Sequence, residues 1–409
     1  MDRQSVIKVL LCTLFSAMMV GGCAHTRKAL PANSLEAARP SGIAGIRDWG
    51  GEPSELFQKD LVESIRQVRS HNPEGLVDSS GWINVLALSG GGSNGAFGSG
   101  VMAGWTASGD RPTFKLVTGV SAGALMAPFV FLGPKYDETL KEFFTTTQTS
   151  DVIKAKPLLN ALAGGDSFMD SSPLLKLLER SVTREILQAI AREHRRGRRL
   201  YILTTNLDAR RAVVWNMGAI ANSNKPGAVE LFRRIMRASA SIPVAMGPIY
   251  LPVEVDGKSY DEMHVDGGVT SQVFFYGFML DLEAAARAAG VARSDAKIRI
   301  YIVRNSQLRV PYEQVKPTLM PIASRAIGSL CSTQGVGDLY RIYTITRRDG
   351  IDFNLAIIPD TYVSNAKEEF DPEEMTRLYN LGYEQARNGY PWQKLPPGLT
   401  EAEAIKPTR

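Results

Sequence analysis

The sequence predicts an α/β protein built on a mainly parallel sheet with helices on both faces. Three observations carry that expectation. Short apolar runs of strand length recur at 83–88, 114–120, 200–205 and 298–303, separated by stretches of helical period. Two of these runs end in glycine-rich turns, Ser89-Gly90-Gly91-Gly92 and Gly119-Val120-Ser121-Ala122-Gly123, from which helix patterns set out. The composition of the 409 residues, 44 % hydrophobic and 22 % charged, is that of an ordinary globular chain with enough apolar side chains for a large core.

Taken in order, residues 1–22 read as an export signal. Arg3 and Lys8 precede an apolar run at 9–20, which is shorter than the roughly 20 residues needed to span a bilayer. The string Val20-Gly21-Gly22-Cys23 resembles a bacterial lipobox, which implies cleavage before Cys23 and acylation of its thiol; a plain secretory signal or a weak membrane helix is the alternative. Cleavage there removes Asp2, Arg3, Lys8 and Cys12 and leaves 45 basic against 41 acidic residues. With Cys23 acylated, Cys331 stands alone and no internal disulfide forms, so it is expected to be a small buried hydrophobe. Ala24 after the cysteine, rather than Asp, resembles lipoproteins of the outer membrane. The expected location is the cell envelope, on a lipid anchor.

Residues 23–80 are expected to form a tether and one N-terminal helix. Positions 24–52 are rich in Ala, Pro, Gly and Arg without periodicity. Phe57, Leu61, Ile65 and Val68 then repeat at helical spacing, and Asn72-Pro73 stops them. The 83–88 strand leads into a small-residue helix through Trp105, and the 114–120 strand into an apolar helix from Ala122 to Leu132. Strands follow at 200–205 and 212–215, a helix at 229–238, a hairpin over 249–265 turning at Asp256-Gly257, a strand at 298–303 and a closing helix at 373–387. The tail after Tyr390 is Pro-rich and irregular. Residues 83–280 read as one domain and 281–409 as an extension packed on the same core; no internal repeat is visible.

The formal charge of +5 has no basic stripe interleaved with aromatics behind it, so no nucleic-acid partner is expected. Three cysteines without CxxC or HExxH spacing predict neither a disulfide framework nor a structural zinc.

The chemistry concentrates in two turns and one aspartate. In Gly119-Val120-Ser121-Ala122-Gly123 the serine sits between strand and helix, on a turn tight enough to thrust its Oγ outward, and the flanking glycines let backbone approach closely. The following helix points its positive N-terminus at Ser121. Gly90-Gly91-Gly92-Ser93-Asn94-Gly95 occupies a second strand-to-helix junction, where successive amides form an anion-binding concavity. It reads as an oxyanion hole, as a phosphate cradle, or as a tight turn without ligand; the missing terminal Lys-Ser/Thr argues against the phosphate cradle. A serine nucleophile needs a base. Of the four histidines only His264 lies near a plausible site, and no histidine follows Asp266, as the Ser–acid–His order requires. Asp266, before Gly267 and Gly268, is therefore the candidate base. His264 is either an alternative base oriented by Asp266 or a polar neighbour.

Gly-Gly-Gly-x-x-Gly, Gly-x-Ser-x-Gly about 30 residues on, and Asp-Gly-Gly about 145 residues beyond that resemble the patatin-like phospholipases. The strings Thr204-Thr205-Asn206-Leu207-Asp208 and Ala238-Ser239-Ala240-Ser241-Ile242-Pro243 add to the resemblance. It implies a three-layer α/β/α fold over 83–280, with a Ser–Asp dyad and neither cofactor nor metal. Ser121 is then the nucleophile, Asp266 the general base, and Gly90, Gly91 and Gly92 the oxyanion loop. The implied activity is hydrolysis of acyl esters such as membrane phospholipid through an acyl-enzyme. The chain departs from the family at Asn94, where Lys or Arg is common, and at Ser89, where aspartate often precedes the glycines. A neutral amide at position 94 offers a hydrogen bond about half as strong as a charged one. A non-catalytic lipid-binding or scaffolding lipoprotein, favoured by Asn94, and a nucleotide-binding protein are the competing readings.

Two further stretches admit double readings. The basic run at 192–199 is either a patch for anionic lipid or the solvated end of a helix. Residues 152–187, with Pro157-Leu158-Leu159, Ala161-Leu162-Ala163 and Pro173-Leu174-Leu175, are either a mobile cap or a packed helical layer.

Overall fold

The computed structural model describes residues 27–404 apart from 72–76, 157–166, 276–278, 292–296, 310–311 and 313. The export signal, Cys23, the Asn72-Pro73 stop and residues 157–163 of the stretch read as cap or packed layer lie outside the described residues.

The strands are β1 (Arg39–Pro40), β2 (Arg47–Trp49), β3 (Trp82–Leu88), β4 (Leu116–Gly119), β5 (Lys154–Ala155), β6 (Met169–Asp170), β7 (Arg199–Asn206), β8 (Arg211–Asn216), β9 (Ile249–Val255), β10 (Lys258–Asp266), β11 (Lys297–Arg304) and β12 (Asp352–Ile357). All but β5 and β6, which pair with each other, join one sheet. Its core is parallel, in the order β7-β4-β3-β11-β12. The antiparallel hairpin β9–β10 turns at Asp256-Gly257 and extends the sheet beyond β7.

One feature of the register positions the site. Strand β8 pairs with β7 from Tyr201 to Asn206 and fills one edge of it. Strand β4, opposite Arg199 to Ile202, and the end of β10, opposite Thr204 to Asn206, must therefore share the other edge. The C-terminal ends of β4 and β10 meet head to head across from Leu203.

Alternation along the strands divides the core into two layers. Leu86, Leu88, Val117, Leu200 and Ile202 face helices α2 (Gly95–Ser108), α3 (Ala122–Leu132), α4 (Arg184–Arg195), α5 (Ala228–Ser239) and α7 (Pro372–Arg387). Val85, Ala87, Leu116, Leu203 and Ile300 face α1 (Glu55–His71) and the inner half of α6 (Leu319–Asp349). The result is a three-layer α/β/α arrangement. Helices α2 and α7 touch backbone to backbone: a Cβ on Gly100 would stand 2.0 Å from the Tyr379 carbonyl oxygen, and one on Gly382 2.3 Å from that of Phe97.

The structure corrects two expectations and agrees with one of the two readings of a third stretch. The stretch expected to be a tether contributes β1 and β2 to the sheet and buries Ile43, Ile46 and Trp49. Its compositional bias hid an ion pair between Arg47 and Glu262 that fastens it down. The basic run splits. Arg195 and Arg196 are exposed, but Arg198 and Arg199 are buried, Arg198 donating to the carbonyls of Phe114 and Phe131 and Arg199 pairing with Asp60 at 2.7 Å. Of the two readings of residues 152–187, the part at 172–187 fits the packed helical layer, with Leu174 and Leu178 in the core. The 281–409 extension supplies β11 and β12, so the parallel sheet itself is completed from it.

Candidate active site

The turn after β4 holds Ser121 at φ 53° and ψ −122°, outside the regions an L-residue ordinarily adopts. Such a conformation costs about 1–3 kcal/mol and persists only where the surroundings enforce it. Here they do: a Cβ on Gly119 would stand 2.4 Å from the Gly123 carbonyl oxygen, and one on Gly123 2.3 Å from that of Leu88, so no other residue fits either position. Helix α3 starts at the next residue and aims its N-terminus at the serine.

Asp266 ends β10, two residues before the turn amide of Gly268. Its Oδ2 accepts a hydrogen bond from Ser121 Oγ at 2.6 Å, and its Oδ1 accepts one from Gly268 N at 2.7 Å. Ser121 is 7 % exposed and Asp266 5 %. Burial dominates the carboxyl's ionisation and pushes its pKa up to about 7; the two hydrogen bonds oppose that rise without cancelling it.

The last residue of α5 and the segment that follows it brace both residues. Ser239 Oγ accepts from Ser121 N at 3.0 Å and donates to the Leu203 carbonyl at 2.7 Å, while the Ser241 carbonyl accepts from Asp266 N at 2.9 Å. Nothing local in the string 238–243 beyond its resemblance marks either brace.

The glycine loop lies alongside. A Cβ on Gly90 would come within 3.1 Å of Ser121 Cβ. Of the three amides expected to line an oxyanion hole, that of Gly90 is already committed, donating to the Gln272 carbonyl at 3.0 Å. Among the described residues no hydrogen bond takes the amides of Gly91 or Gly92, and Gly92 adopts a φ of 56° that favours glycine. The loop is held from β11's end by Asn305, which sequence reasoning missed. Its Nδ2 donates to the Ser89 carbonyl at 3.0 Å, its Oδ1 accepts from Gly98 N, and its amide donates to Ser89 Oγ at 2.8 Å. A Cβ on Gly91 would overlap the Asn305 carbonyl, and one on Gly95 would overlap Phe144. Asn94 occupies the N-cap position of α2 but makes no capping bond with its side chain. Helices α2 and α3 both begin at this site, and each N-terminus brings partial positive charge where Asn94 brings none.

His264 does not reach the serine. Its Nδ1 meets Thr204 Oγ1 at 2.9 Å and its Nε2 meets Glu262 Oε2 at 3.1 Å, with the ring fully buried. Burial holds its pKa below the usual value. Cys331 is half-buried rather than part of the core, its Sγ 3.6 Å from the Gly268 carbonyl oxygen. Among the described residues no cluster of His, Cys, Asp and Glu is placed to hold a metal ion.

The family model for patatin-like phospholipases matches residues 86–279, a span that contains Ser121, Asp266 and the bracing segment. No curated protein matches the chain. Among solved structures, that of VipD from Legionella pneumophila is similar at 11 % identity and a TM-score of 0.35, over 75 % of this chain and 66 % of that one. The chain thus spans about two thirds of the length of that protein.

Proposed function

We propose that this chain, whose residues 86–279 match the family model for patatin-like phospholipases, is a serine acyl hydrolase that cleaves carboxylic ester bonds of membrane lipids through Ser121 and Asp266. Asp266 accepts the hydroxyl proton as Ser121 Oγ attacks the ester carbonyl, and the amides of Gly91 and Gly92 receive the oxyanion. Collapse of the tetrahedral intermediate expels the alcohol, which takes its proton from Asp266 and leaves an acyl-enzyme. Water, deprotonated by the same carboxylate, then releases the fatty acid and restores Ser121. Each loop amide contributes about 2.7–4 kcal/mol to transition-state stabilisation in sites of this kind.

One observation carries the reading: the 2.6 Å contact between Ser121 Oγ and a buried carboxylate whose pKa stands near 7. A free aspartate, at a pKa near 3.9, is a weak base at neutral pH; one shifted to about 7 is matched to the task. The N-terminal sequence supports an envelope lipoprotein anchored by acylated Cys23, with Ala24 favouring the outer membrane; each buried methylene of such an anchor is worth about 0.8 kcal/mol. A fluorophosphonate serine probe tests the reading. Labelling that disappears in Ser121→Ala, with fatty-acid release from envelope lipids detected by mass spectrometry, supports it. A folded protein that takes no label favours the non-catalytic lipid-binding lipoprotein, for which the uncharged Asn94 speaks.

A further inference from the structure

We infer that the outer half of α6 is a docking surface that seats the catalytic mouth on an anionic lipid bilayer. The substrate side of this inference rests on the acyl-hydrolase reading above; the docking itself does not.

Helix α6 changes character midway. Its inner half buries Leu339, Ile342 and Tyr343 against the sheet. Its outer half carries Leu319, Ile322 and Leu330 at 79 %, 52 % and 71 % exposure, with exposed Ala326 between them. The spacings of three, four and four place these side chains on one stripe about 16 Å long. Three large aliphatic side chains left in water along one helix face call for an apolar partner.

That stripe is continuous with the site. Where the two halves of the helix join, Gln334 Nε2 donates to the Thr270 carbonyl, Asp338 accepts from Gln272 N at 2.7 Å, and Cys331 Sγ lies at the Gly268 carbonyl. These contacts clamp the turn that follows Asp266, and Val269 in that turn is itself 38 % exposed. Whatever covers the stripe therefore lies beside the turn that follows Asp266.

Charge and chain geometry favour a bilayer as the occupant. From 314 to 337 the sequence contains Lys316 and Arg325 and no acidic residue, so this stretch meets anionic headgroups without like-charge repulsion. Thr205 Oγ1 bonds Thr270 Oγ1, and beyond the end of β7 Asp208 pairs with Arg27, where the described chain starts. The four steps from Arg27 back to Cys23 span at most about 14 Å. An acyl group at Cys23 would hold this same end of the sheet against lipid.

The test uses the mature protein reconstituted on phosphatidylethanolamine–phosphatidylglycerol vesicles. In a Cys331→Ser background, an environment-sensitive dye on Ile322→Cys is expected to shift to the blue and be quenched by spin-labelled lipid, while the same dye on Ser324→Cys, across the helix, stays aqueous. A dye at 322 that stays in water, or that is shielded equally without vesicles by a second copy of the chain, overturns the inference. In the second arm, the Leu319→Glu/Ile322→Glu/Leu330→Glu variant is expected to lose at least about tenfold in turnover of vesicular phospholipid. Its turnover of a water-soluble short-chain ester stays within about twofold. Equal loss on both substrates, or loss on neither, overturns the docking role. If the unaltered protein hydrolyses neither substrate, the acyl-hydrolase reading fails and the dye still decides the docking.

Discussion

Asp266 and Ser121, 145 positions apart in the chain, share a 2.6 Å hydrogen bond because their strands abut end to end on one edge of β7. Sheet register fixes the pair. A slip of β10 by one residue would turn Asp266 to the other face and carry Val265 toward the serine. The ladder partners His264↔Asn206 and Asp266↔Thr204, backed by the Ser241 carbonyl on Asp266 N, hold the register against such a slip.

Asp266→Asn is expected to lower kcat by about 10³-fold or more while leaving the circular-dichroism spectrum unchanged, since the amide fills the same space and cannot take the proton. His264→Gln should retain most of the activity, because the ring already serves Thr204 and Glu262. Ester turnover of the two variants side by side is the measurement. An inactive His264→Gln with an active Asp266→Asn would reverse the assignment.

The raised pKa of Asp266 has opposite consequences for rate and stability. Catalysis needs the carboxylate, so kcat/KM should climb with pH and level off above about 7. The folded protein binds this proton more tightly than the unfolded chain does. Its stability therefore falls as pH rises from about 4 to about 7, by at most about 4 kcal/mol, and the loss is complete above 7. Asp266→Asn removes that cost. The variant should melt higher than the parent at pH 8, and the gap should close toward pH 4. A gap that widens on acidification would contradict the burial argument.

The motifs that sequence reading found are those whose chemistry is local. A nucleophile turn needs glycines at fixed offsets, and Gly119, Ser121 and Gly123 announce it within five residues. The parallel strands were legible because each is a short apolar run closed by a turn. Ser239 and Asn305 were not legible: each acts through hydrogen bonds to residues more than a hundred positions away, Ser121 for the one and Ser89 and Gly98 for the other, and no periodicity records such a contact. β1 and β2 hid in Pro- and Gly-rich text because they join the sheet through two or three ladder pairs and a buried Arg47–Glu262 pair. Helix α6 escaped because its two halves present apolar residues to different surroundings, so the stripe breaks phase midway. The committed amide of Gly90 was invisible for the same reason as Asn305, since its acceptor on Gln272 comes from another part of the chain.

Ser239→Ala leaves Ser121 N without its acceptor in a buried turn, at a cost of about 1–3 kcal/mol. The strained φ of Ser121 loses one of its restraints at the same time. The expected outcome is a folded protein with a lower melting temperature and reduced kcat but nearly unchanged KM, because the nucleophile rather than the substrate surface is disturbed. Differential scanning calorimetry and steady-state kinetics on a soluble ester check both. A changed KM with an unchanged kcat would place Ser239 in substrate binding instead.

Two glycines in helices should respond in opposite directions to the same substitution. Alanine favours helix over glycine by about 1 kcal/mol, a gain available wherever the added methyl meets nothing. Gly328, on the outer half of α6, has no atom within 4 Å of its would-be Cβ, so Gly328→Ala should stabilise by roughly that amount. Gly100 sits where α2 touches α7, and its would-be Cβ lies 2.0 Å from the Tyr379 carbonyl oxygen, a backbone atom that cannot rotate away. Separating the two helices costs about 1–3 kcal/mol or more, which exceeds the propensity gain and reverses the sign. Urea unfolding of both variants gives the comparison directly. Because α7 comes from the extension and α2 follows the glycine loop, a destabilised Gly100→Ala should also lose esterase activity, whereas Gly328→Ala should keep it.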